Sequence, residues 1–301
     1  MNNQILIFCV AISTFLVSCG LAIADEPQVI ELWPDGVPGL AKDDKPEIVV
    51  ENDARIGQKV TKVSKPVLTV YRPAELKSNA AIIICPGGGY NILALDLEGT
   101  EIAKWLNDLG MTALVLQYRV PTAQDDKQHK LPLMDAQRAI SVVRNRAEEW
   151  QLNPNRIGIM GFSAGGHLAA NAATNFATRS YQAADAADKA SCRPDFFMLV
   201  YPAYMAKKNA DKKDTVELVD DLPVSEKTPP ALLIHAANDG VTCNSSIAMF
   251  LALNNVKVAA ELHVYPDGGH GYGLRPSSFA VSSWPDRGAR WLQGMGFFSA
   301  K

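Results

Sequence analysis

Cysteine is scarce in this sequence, and its spacing excludes the sites that cysteine usually builds. Five cysteines occur in 301 residues, at positions 9, 19, 85, 192 and 243. None has the CxxC spacing of a metal site, and the last three are too few and too widely spaced for a disulfide framework. The sequence leaves open the formation of one disulfide bond if the chain lies in an oxidising compartment. Cys85 stands in an apolar run, where we expect a buried thiol that packs as a small hydrophobe.

The sequence also lacks an excess of charge, a basic run, a low-complexity tract and a solenoid repeat. The formal net charge is -3 and the sequence pI is about 6.0. Because binding to a phosphate backbone needs a basic face, a nucleic-acid partner is excluded. With 48% hydrophobic and 20% charged residues, a chain of this length can bury a large core. These absences favour a soluble globular protein.

The one long apolar run lies at the N-terminus. Residues 5–24 are almost entirely apolar and end in Ala22-Ile23-Ala24, directly before Asp25. This pattern predicts a signal peptide over residues 1–24 and no membrane span in the mature chain, although the preceding MNNQ lacks Lys and Arg. Leu16 to Cys19 also resembles a bacterial lipobox, so cleavage and a lipid anchor at Cys19 both stay open. We expect an exported protein, either periplasmic, secreted or held as an outer-membrane lipoprotein.

Strand-like and helix-like segments alternate from about residue 59 onward. Apolar runs such as AAIIICP, MTALVLQY and ALLIHAA alternate with amphipathic stretches, one of them predicted as a helix over residues 133–150. Such alternation predicts an α/β fold with a mainly parallel central sheet and helices on both faces. We therefore expect one catalytic domain over residues 25–301. Residues 178–193 and 203–228 interrupt the alternation, either as a substrate lid or as solvated surface insertions.

Ser163 lies in Gly-Phe-Ser-Ala-Gly, between the strand-like RIGIM and the helix-like GHLAANAAT. In this context, glycines on either side of a serine let a strand and a helix approach closely around a sharp turn that exposes the hydroxyl. The alternative is a small structural residue in a crowded turn, which the flanking strand and helix disfavour. The pattern predicts Ser163 as a nucleophile, which needs a base and an orienting acid.

His270 is the predicted base. In folds with this serine turn the histidine follows the last strand, and His270 stands in the loop PDGGHGYG after AAELHVY. The other histidines fit less well, since His129 precedes the serine, His167 lies on the helix after it, and the last two lie inside strand-like runs, at positions 235 and 263.

Asp239 is the predicted acid, because it lies in the loop after the preceding strand, in ALLIHAANDG. Asp267 is the main rival, since it lies three residues before His270, although an aspartate beside glycine is more often a turn former. Asp195 is a distant rival.

The glycine run in CPGGGYN is predicted to stabilise an oxyanion. It follows a strand-like segment, so the N–H groups of Gly88 and Gly89, with that of Ala164, are candidates for an oxyanion hole. A phosphate-binding loop is the alternative, but the Walker lysine is absent and G-x-G-x-x-G is not completed.

With CPGGGY, GFSAGGHLA, HAANDG and YPDGGHGYG in this order, the sequence resembles the α/β-hydrolase serine esterases, in particular bacterial acetylesterases and acetylxylan esterases. The resemblance implies Ser163 as nucleophile, His270 as base and Asp239 as acid, with no metal and no organic cofactor, and short acyl esters of polysaccharides as substrates. The sequence departs from related lipases at Pro86, where those carry a histidine that helps to order the glycine loop.

The leading hypothesis is an exported enzyme that removes a short acyl group, most simply acetyl, from a small-molecule or oligosaccharide ester. Four tyrosines near predicted strand ends are candidates for a sugar-stacking rim or for ordinary packing, at positions 90, 118, 204 and 272. A prolyl-oligopeptidase-like peptidase is the alternative, although the segment before the catalytic region is too short for a propeller. A non-catalytic binding module is a further alternative and predicts the loss of a triad residue.

Overall fold

The computed structural model describes residues 26–40, 48–125, 127–207 and 215–298. The predicted signal segment, with Cys19, lies outside these residues, and so do residues 208–214 of the second interrupting stretch. Within the described ranges, none of the helices combines the length and the apolarity that a bilayer crossing requires.

Eleven strands and five α-helices make up the regular structure of the described residues. The strands are β1 Gln28–Glu31, β2 Val49–Asp53, β3 Gly57–Thr61, β4 Val67–Tyr71, β5 Ala81–Cys85, β6 Leu93–Ala94, β7 Thr112–Gln117, β8 Ile157–Phe162, β9 Phe196–Val200, β10 Ala231–Ala236 and β11 Ala260–Tyr265. The helices are α1 Glu101–Asp108, α2 Lys130–Asn145, α3 Ala164–Thr174, α4 Asn244–Asn255 and α5 Trp284–Gly294.

Eight strands form one twisted sheet in the order β1-β4-β7-β5-β8-β9-β10-β11. The six strands from β7 to β11 in this order are parallel, and β4 and β1 join the β7 edge in antiparallel fashion. Parallel neighbours require crossover connections, which the helices supply. The predicted α/β fold with a mainly parallel sheet is therefore confirmed.

The core lies on both faces of the central strands. Every residue of β5, β8, β9 and β10 is buried, as expected for parallel strands that helices cover on both sides. On one face α1 and α5 meet through Trp105 and Trp284, whose ring centroids are 5.4 Å apart, and elsewhere α3 packs against α2 and against β8 and β9. Cys85 is buried as expected, and the three described cysteines are free thiols.

The structure corrects the predicted bounds of one helix. Residues 133–150 were expected to be helical, but α2 runs from Lys130 to Asn145. It begins earlier because Pro132 lies in the first turn, where its missing N–H has no intrahelical acceptor to lose. It ends earlier because Arg146 takes a ψ of 11°, outside the helical range, and the chain continues as a turn in which the Leu152 N–H donates to the Ala147 carbonyl.

The N-terminal part contains strands that the sequence pattern does not reveal. β1 extends the main sheet, while β2, β3 and β6 form a separate antiparallel sheet of three strands. β2 and β3 are short and mostly half-buried or exposed, and β6 consists of two buried residues, so none of the three carries a clear apolar alternation. The small sheet bears on function because the turn between β2 and β3 lines a cavity beside Ser163 and His270.

Residues 178–193 pack against α2. The Arg138 guanidinium, buried on α2, binds the carboxylates of Asp185 and Asp188, and the Tyr181 ring meets Trp33 edge to face at 4.7 Å. These contacts hold the stretch on the flank of the sheet.

Candidate active site

The loops with the predicted site residues emerge at one edge of the sheet. Because β5, β8, β10 and β11 are parallel, their carboxyl ends lie on the same side. The glycine run follows β5, Ser163 follows β8, Asp239 follows β10 and His270 follows β11. The fold thus brings together residues that lie far apart in the sequence.

Ser163 occupies a strained turn between β8 and α3. Its φ of 52° and ψ of -119° lie in a region that residues with a side chain rarely adopt. The two flanking glycines permit this turn: a Cβ at Gly161 would lie 2.0 Å from the Gly165 carbonyl oxygen, and one at Gly165 would lie 2.1 Å from the Cys85 carbonyl oxygen. The turn aims the Ser163 hydroxyl toward the loop that follows β11.

Three side chains form a hydrogen-bonded series. The Oγ of Ser163 lies 2.9 Å from Nε2 of His270, and Nδ1 of His270 lies 2.7 Å from Oδ2 of Asp239. The His270 loop is tied to the Asp239 loop, because the Gly269 N–H donates to the Asn238 side-chain oxygen at 2.9 Å. This is the arrangement in which an imidazole takes a proton from a serine while a carboxylate fixes its tautomer.

Asp239 is buried and remains charged. Burial raises the pKa of its carboxyl, but contacts from His235 and His270 and the Val241 N–H outweigh burial and hold the pKa well below its ordinary range. Nε2 of His235 lies 3.3 Å from Oδ2, and Nδ1 of the same ring lies 2.8 Å from the Ser246 hydroxyl. His235 was expected only as a core residue; its contact with Asp239 depends on the loop turning back over β10, which no local pattern shows.

The rival acids lie elsewhere. Asp195 precedes β9, at the opposite edge of the sheet, and pairs with Arg144 at 2.7 Å. Asp267 has a buried oxygen that lacks a hydrogen-bond partner among the described residues, and the carboxylate that bonds His270 is Asp239.

A cavity of about 590 Å³ lies over this series. Gly88 and Gly89 line it beside Ser163 and His270, and the turn between β2 and β3 forms the opposite wall through Arg55 and Ile56. Both glycines have positive φ, and neither N–H enters a hydrogen bond with another described residue. Ala164 follows as the first residue of α3, where a helix N–H has no intrahelical acceptor. These N–H groups are available to an anionic oxygen.

Glu98 supports the glycine loop, and no pattern in the sequence singles it out. Its buried carboxylate accepts from the Gly87 N–H at 2.7 Å and from the Tyr201 hydroxyl at 2.9 Å. Burial raises the pKa of Glu98, and these two hydrogen bonds act against the rise. The Tyr201 hydroxyl also accepts from the Gly273 N–H, and its ring lies 5.0 Å from that of His270. Glu98 therefore connects the glycine loop to the histidine loop.

Tyr118 takes up the ordering role left open by Pro86. Its hydroxyl donates to the Pro86 carbonyl at 2.6 Å, at the start of the glycine run. The loop is thus held from two sides although it lacks the histidine of related lipases.

We expect Glu98→Ala to lower kcat by about 10- to 100-fold on p-nitrophenyl acetate and to change KM less. The substitution leaves the Gly87 N–H and the Tyr201 hydroxyl buried without acceptors and loosens the loop that faces the oxyanion. Glu98→Gln keeps one oxygen for Gly87 and should recover most of the loss. Tyr201→Phe separates the two contacts, since it removes the Tyr201 hydrogen bond and leaves the Gly87 contact intact, so it should lower kcat less than Glu98→Ala does. A kcat of Glu98→Ala within twofold of wild type would contradict this role.

The tyrosines proposed as a rim differ in position. Tyr90 and Tyr118 are fully buried and cannot reach a substrate surface, whereas Tyr204 is 46% exposed. Tyr272 is mostly buried and packs edge to face on Tyr201. Of the four, Tyr204 has a ring that solvent reaches broadly.

His167 is a buried neutral histidine beside the site. Its Nδ1 lies 3.0 Å from the Tyr90 hydroxyl and its Nε2 lies 3.2 Å from the Asn171 amide nitrogen. Burial, with a contribution from nearby His129, lowers the pKa of His167 to about 3.

This pKa predicts a pH-dependent stability. Between about pH 6.5, where an unfolded histidine titrates, and the folded value, the unfolded chain binds a proton that the folded chain does not. The contribution of the neutral His167 ring to the free energy of unfolding is therefore complete above about pH 6.5. It falls as the pH drops, by up to about 1.4 kcal/mol per pH unit. Urea unfolding of wild type and His167→Gln from pH 8 to 4 measures it. The variant should lose stability less steeply; equal slopes would refute the assignment.

The sequence profile of the prolyl oligopeptidase family matches residues 103–294. An acetylxylan esterase of Xylanibacter ruminicola is 31% identical over 219 residues, which are 66% of this chain and 42% of the esterase. Endo-1,4-beta-xylanase B of Butyrivibrio fibrisolvens is 28% identical over 233 residues, which are 73% of this chain and 36% of that protein. The chain thus spans less than half the length of these two relatives.

Among solved structures, the chain is similar to an acetyl ester-xyloside bifunctional hydrolase from Caldicellulosiruptor lactoaceticus. The TM-score is 0.73 and the sequences are 33% identical, with 90% of this chain and 97% of that chain covered. The similarity therefore extends over nearly the whole of that hydrolase and beyond the residues that the family profile matches.

Proposed function

Since the chain belongs to the prolyl oligopeptidase family of α/β-hydrolases, we propose that it is a serine ester hydrolase that removes short acyl groups, above all acetyl, from carbohydrates. The observation that carries the proposal is the hydrogen-bonded series Ser163, His270 and Asp239 beneath a cavity that Gly88 and Gly89 line. A nucleophile, a base, an orienting acid and free N–H donors are the parts that acyl transfer requires.

The first half-reaction forms an acyl-enzyme. His270 Nε2 takes the proton of Ser163 Oγ as this oxygen attacks the acyl carbon, and Asp239 stabilises the resulting imidazolium through Nδ1. The carbonyl oxygen becomes anionic and accepts hydrogen bonds from the glycine loop and the Ala164 N–H. When the bond to the sugar oxygen breaks, His270 returns the proton to that oxygen and the alcohol leaves.

The second half-reaction releases the acid. A water molecule gives a proton to His270 as its oxygen attacks the acyl carbon, which restores the oxyanion. The carbon–Oγ bond then breaks, His270 protonates Ser163, and the carboxylic acid departs. The same groups act in both halves, so the site needs one nucleophile and one base.

The relatives favour a carbohydrate ester as substrate. An acetylxylan esterase and an acetyl ester-xyloside hydrolase are both more than 30% identical to this chain. A peptidase is the alternative that the name of the family suggests, and a peptide bond would use the same attacking groups. The two activities differ in the bond that is broken, so a panel of substrates separates them.

The test compares initial rates on acetylated xylotriose, p-nitrophenyl acetate, p-nitrophenyl octanoate and an Ala-Pro anilide, with Ser163→Ala as the blank. We expect acetate release from the oligosaccharide, with kcat/KM for acetyl at least tenfold above that for octanoyl. Cleavage of the anilide faster than of both acetyl esters would replace the esterase proposal by the peptidase. The absence of serine-dependent turnover on all four would overturn both and leave a non-catalytic binding module.

Export forms part of the proposal and rests on the apolar run over residues 5–24 alone. An exported enzyme meets polymers that cannot enter a cell. Mass spectrometry of the mature N-terminus separates the two routes, since cleavage leaves Asp25 first and lipidation leaves a modified Cys19. Recovery of the intact chain from the cytoplasm would contradict both.

A further inference from the structure

A second cavity of about 450 Å³ lies beside the catalytic cavity, and the mechanism above does not use it. Its polar wall carries Asp125, Lys127, His129, Asp220 and Asp221, and its aromatic wall is Tyr204.

Tyr204 separates the two cavities. Its hydroxyl lies 3.8 Å from the position that a Cβ would take at Gly89, which lines the catalytic cavity. Its ring stacks on Tyr90 at 6.3 Å with an interplanar angle of 24°, and its φ of 61° shows that the fold holds it in a strained conformation. A ligand that extends from Ser163 past Gly89 therefore meets an exposed aromatic ring before it reaches the second cavity.

His129 presents unused hydrogen-bonding capacity to this cavity. The residue is nine-tenths buried, its side chain makes no hydrogen bond with a described residue, and Nδ1 lies 3.7 Å from the Asp221 carboxylate. Burial lowers the pKa of His129, so the ring is neutral and has one donor and one acceptor. A buried polar ring without a hydrogen bond is costly unless a ligand or water completes it.

Asp221 supplies acceptors next to this ring. Its carboxylate is 40% exposed, and the Asn175 side-chain amide holds its backbone by donating to the Asp221 carbonyl at 3.1 Å. Asp220 on the same wall is already engaged by Lys207 at 2.7 Å. Among the described residues of this wall, Asp125 and Asp221 then stand against Lys127, an acidic balance that disfavours phosphate and carboxylate ligands and suits a neutral ligand rich in hydroxyl groups.

A metal ion is the competing occupant. His129, His167 and Asp221 each offer a ligand atom, and these atoms lie within 4.8 Å of one another. However, both ring nitrogens of His167 already have partners in Tyr90 and Asn171. Two free ligands remain, which is fewer than the three or four protein ligands of ordinary zinc sites.

We propose that the second cavity is a subsite for the sugar residue next to the acetylated one. A neutral pyranose ring packs on the face of Tyr204 and hydrogen-bonds Asp221 and His129 through its hydroxyl groups. The proposal rests on the proposed function and adds to it that the enzyme recognises an oligosaccharide. Tyr204 and Asp221 favour an acetylated oligosaccharide over a single acetylated sugar as substrate.

The test measures kcat/KM on acetylated xylotriose and on acetylated xylose for wild type, Tyr204→Ala and Asp221→Asn. We expect the ratio of the two values to fall about tenfold in each variant. Asp286→Asn, an exposed aspartate on α5, is the matched control and should keep the wild-type ratio within twofold. A ratio unchanged in both variants, or an equal loss on both substrates, would overturn the subsite.

Direct binding provides an independent readout. Calorimetric titration with unacetylated xylotriose should give a Kd at least tenfold higher for Tyr204→Ala and Asp221→Asn than for wild type. Titration with zinc alone tests the competing occupant, and zinc binding that is lost in Asp221→Asn, with xylotriose binding unaffected, would replace the sugar by a metal.

If wild type hydrolyses p-nitrophenyl acetate but no acetylated sugar and does not bind xylotriose, the carbohydrate proposal and the subsite both fail. If it hydrolyses both acetylated sugars with equal kcat/KM and does not bind xylotriose, the subsite alone fails.

Discussion

Replacement of Ser163 by alanine should lower kcat on p-nitrophenyl acetate by on the order of a million-fold, as expected when the nucleophile of a triad is removed. In the proposed mechanism this hydroxyl forms the acyl-enzyme, and it is the hydroxyl that lies within hydrogen-bond distance of His270 Nε2, at 2.9 Å. Gly88, Gly89 and the Ala164 N–H stay in place, so a small residual rate over water should remain. Steady-state rates with enzyme at micromolar concentration measure the difference.

Covalent labelling tests the assignment of Ser163 as nucleophile without a measurement of turnover. A p-nitrophenyl phosphonate should release one p-nitrophenolate per wild-type chain and leave its mass on the peptide that contains Ser163. Ser163→Ala should show no such mass, while Ser225→Ala, an exposed serine outside the cavity, should behave as wild type. A variant at Ser163 that keeps more than about one per cent of activity would show that another residue attacks the ester.

Replacement of Asp239 by asparagine should lower kcat by about ten-thousandfold, because an amide facing Nδ1 favours the wrong tautomer of the catalytic imidazole. The carboxylate accepts from His270 at 2.7 Å, and the pKa of Asp239 is held well below its ordinary range, so it stays charged in neutral and mildly acidic buffer. Loss of activity in mildly acidic buffer should therefore come from a group other than Asp239.

Asp267→Asn provides the matched control for this prediction. Both aspartates are candidates from the sequence, but the structure places the Asp239 carboxylate against His270. Asp267→Asn should retain activity within about tenfold of wild type. Thermal unfolding of each variant separates a chemical loss from a folding defect, and a larger kcat loss in Asp267→Asn than in Asp239→Asn would reverse the assignment.

The sequence was most informative where function imposes a local pattern. The strand, the glycine-bracketed Ser163 and the following helix form one continuous segment, so their geometry could be predicted from spacing. Asp239 and His270 could be selected because each follows an apolar strand at a loop. Their mutual distance required only that the two strands be parallel neighbours.

The supporting residues could not be predicted because their partners come from distant segments. Glu98 lies between β6 and α1, and its contacts with Gly87 and Tyr201 exist only after β5, β8 and β9 are side by side. His235 reads as a core residue of a strand and touches Asp239 only because the loop after β10 turns back. The turn between β2 and β3, which lines the cavity, could not be predicted because the strands on either side of it have no clear apolar alternation.

The position of Glu98 constrains how this enzyme can change over evolutionary time. One carboxylate holds the glycine loop through Gly87 and the histidine loop through Tyr201. Substitutions in the two loops are therefore not independent, and a double-mutant cycle between Glu98 and Tyr201 should show a coupling energy of about 1 kcal/mol or more. A change in either loop alters the contacts of Glu98 with the other loop. We therefore expect substitutions at Glu98 and Tyr201 to occur together among related enzymes.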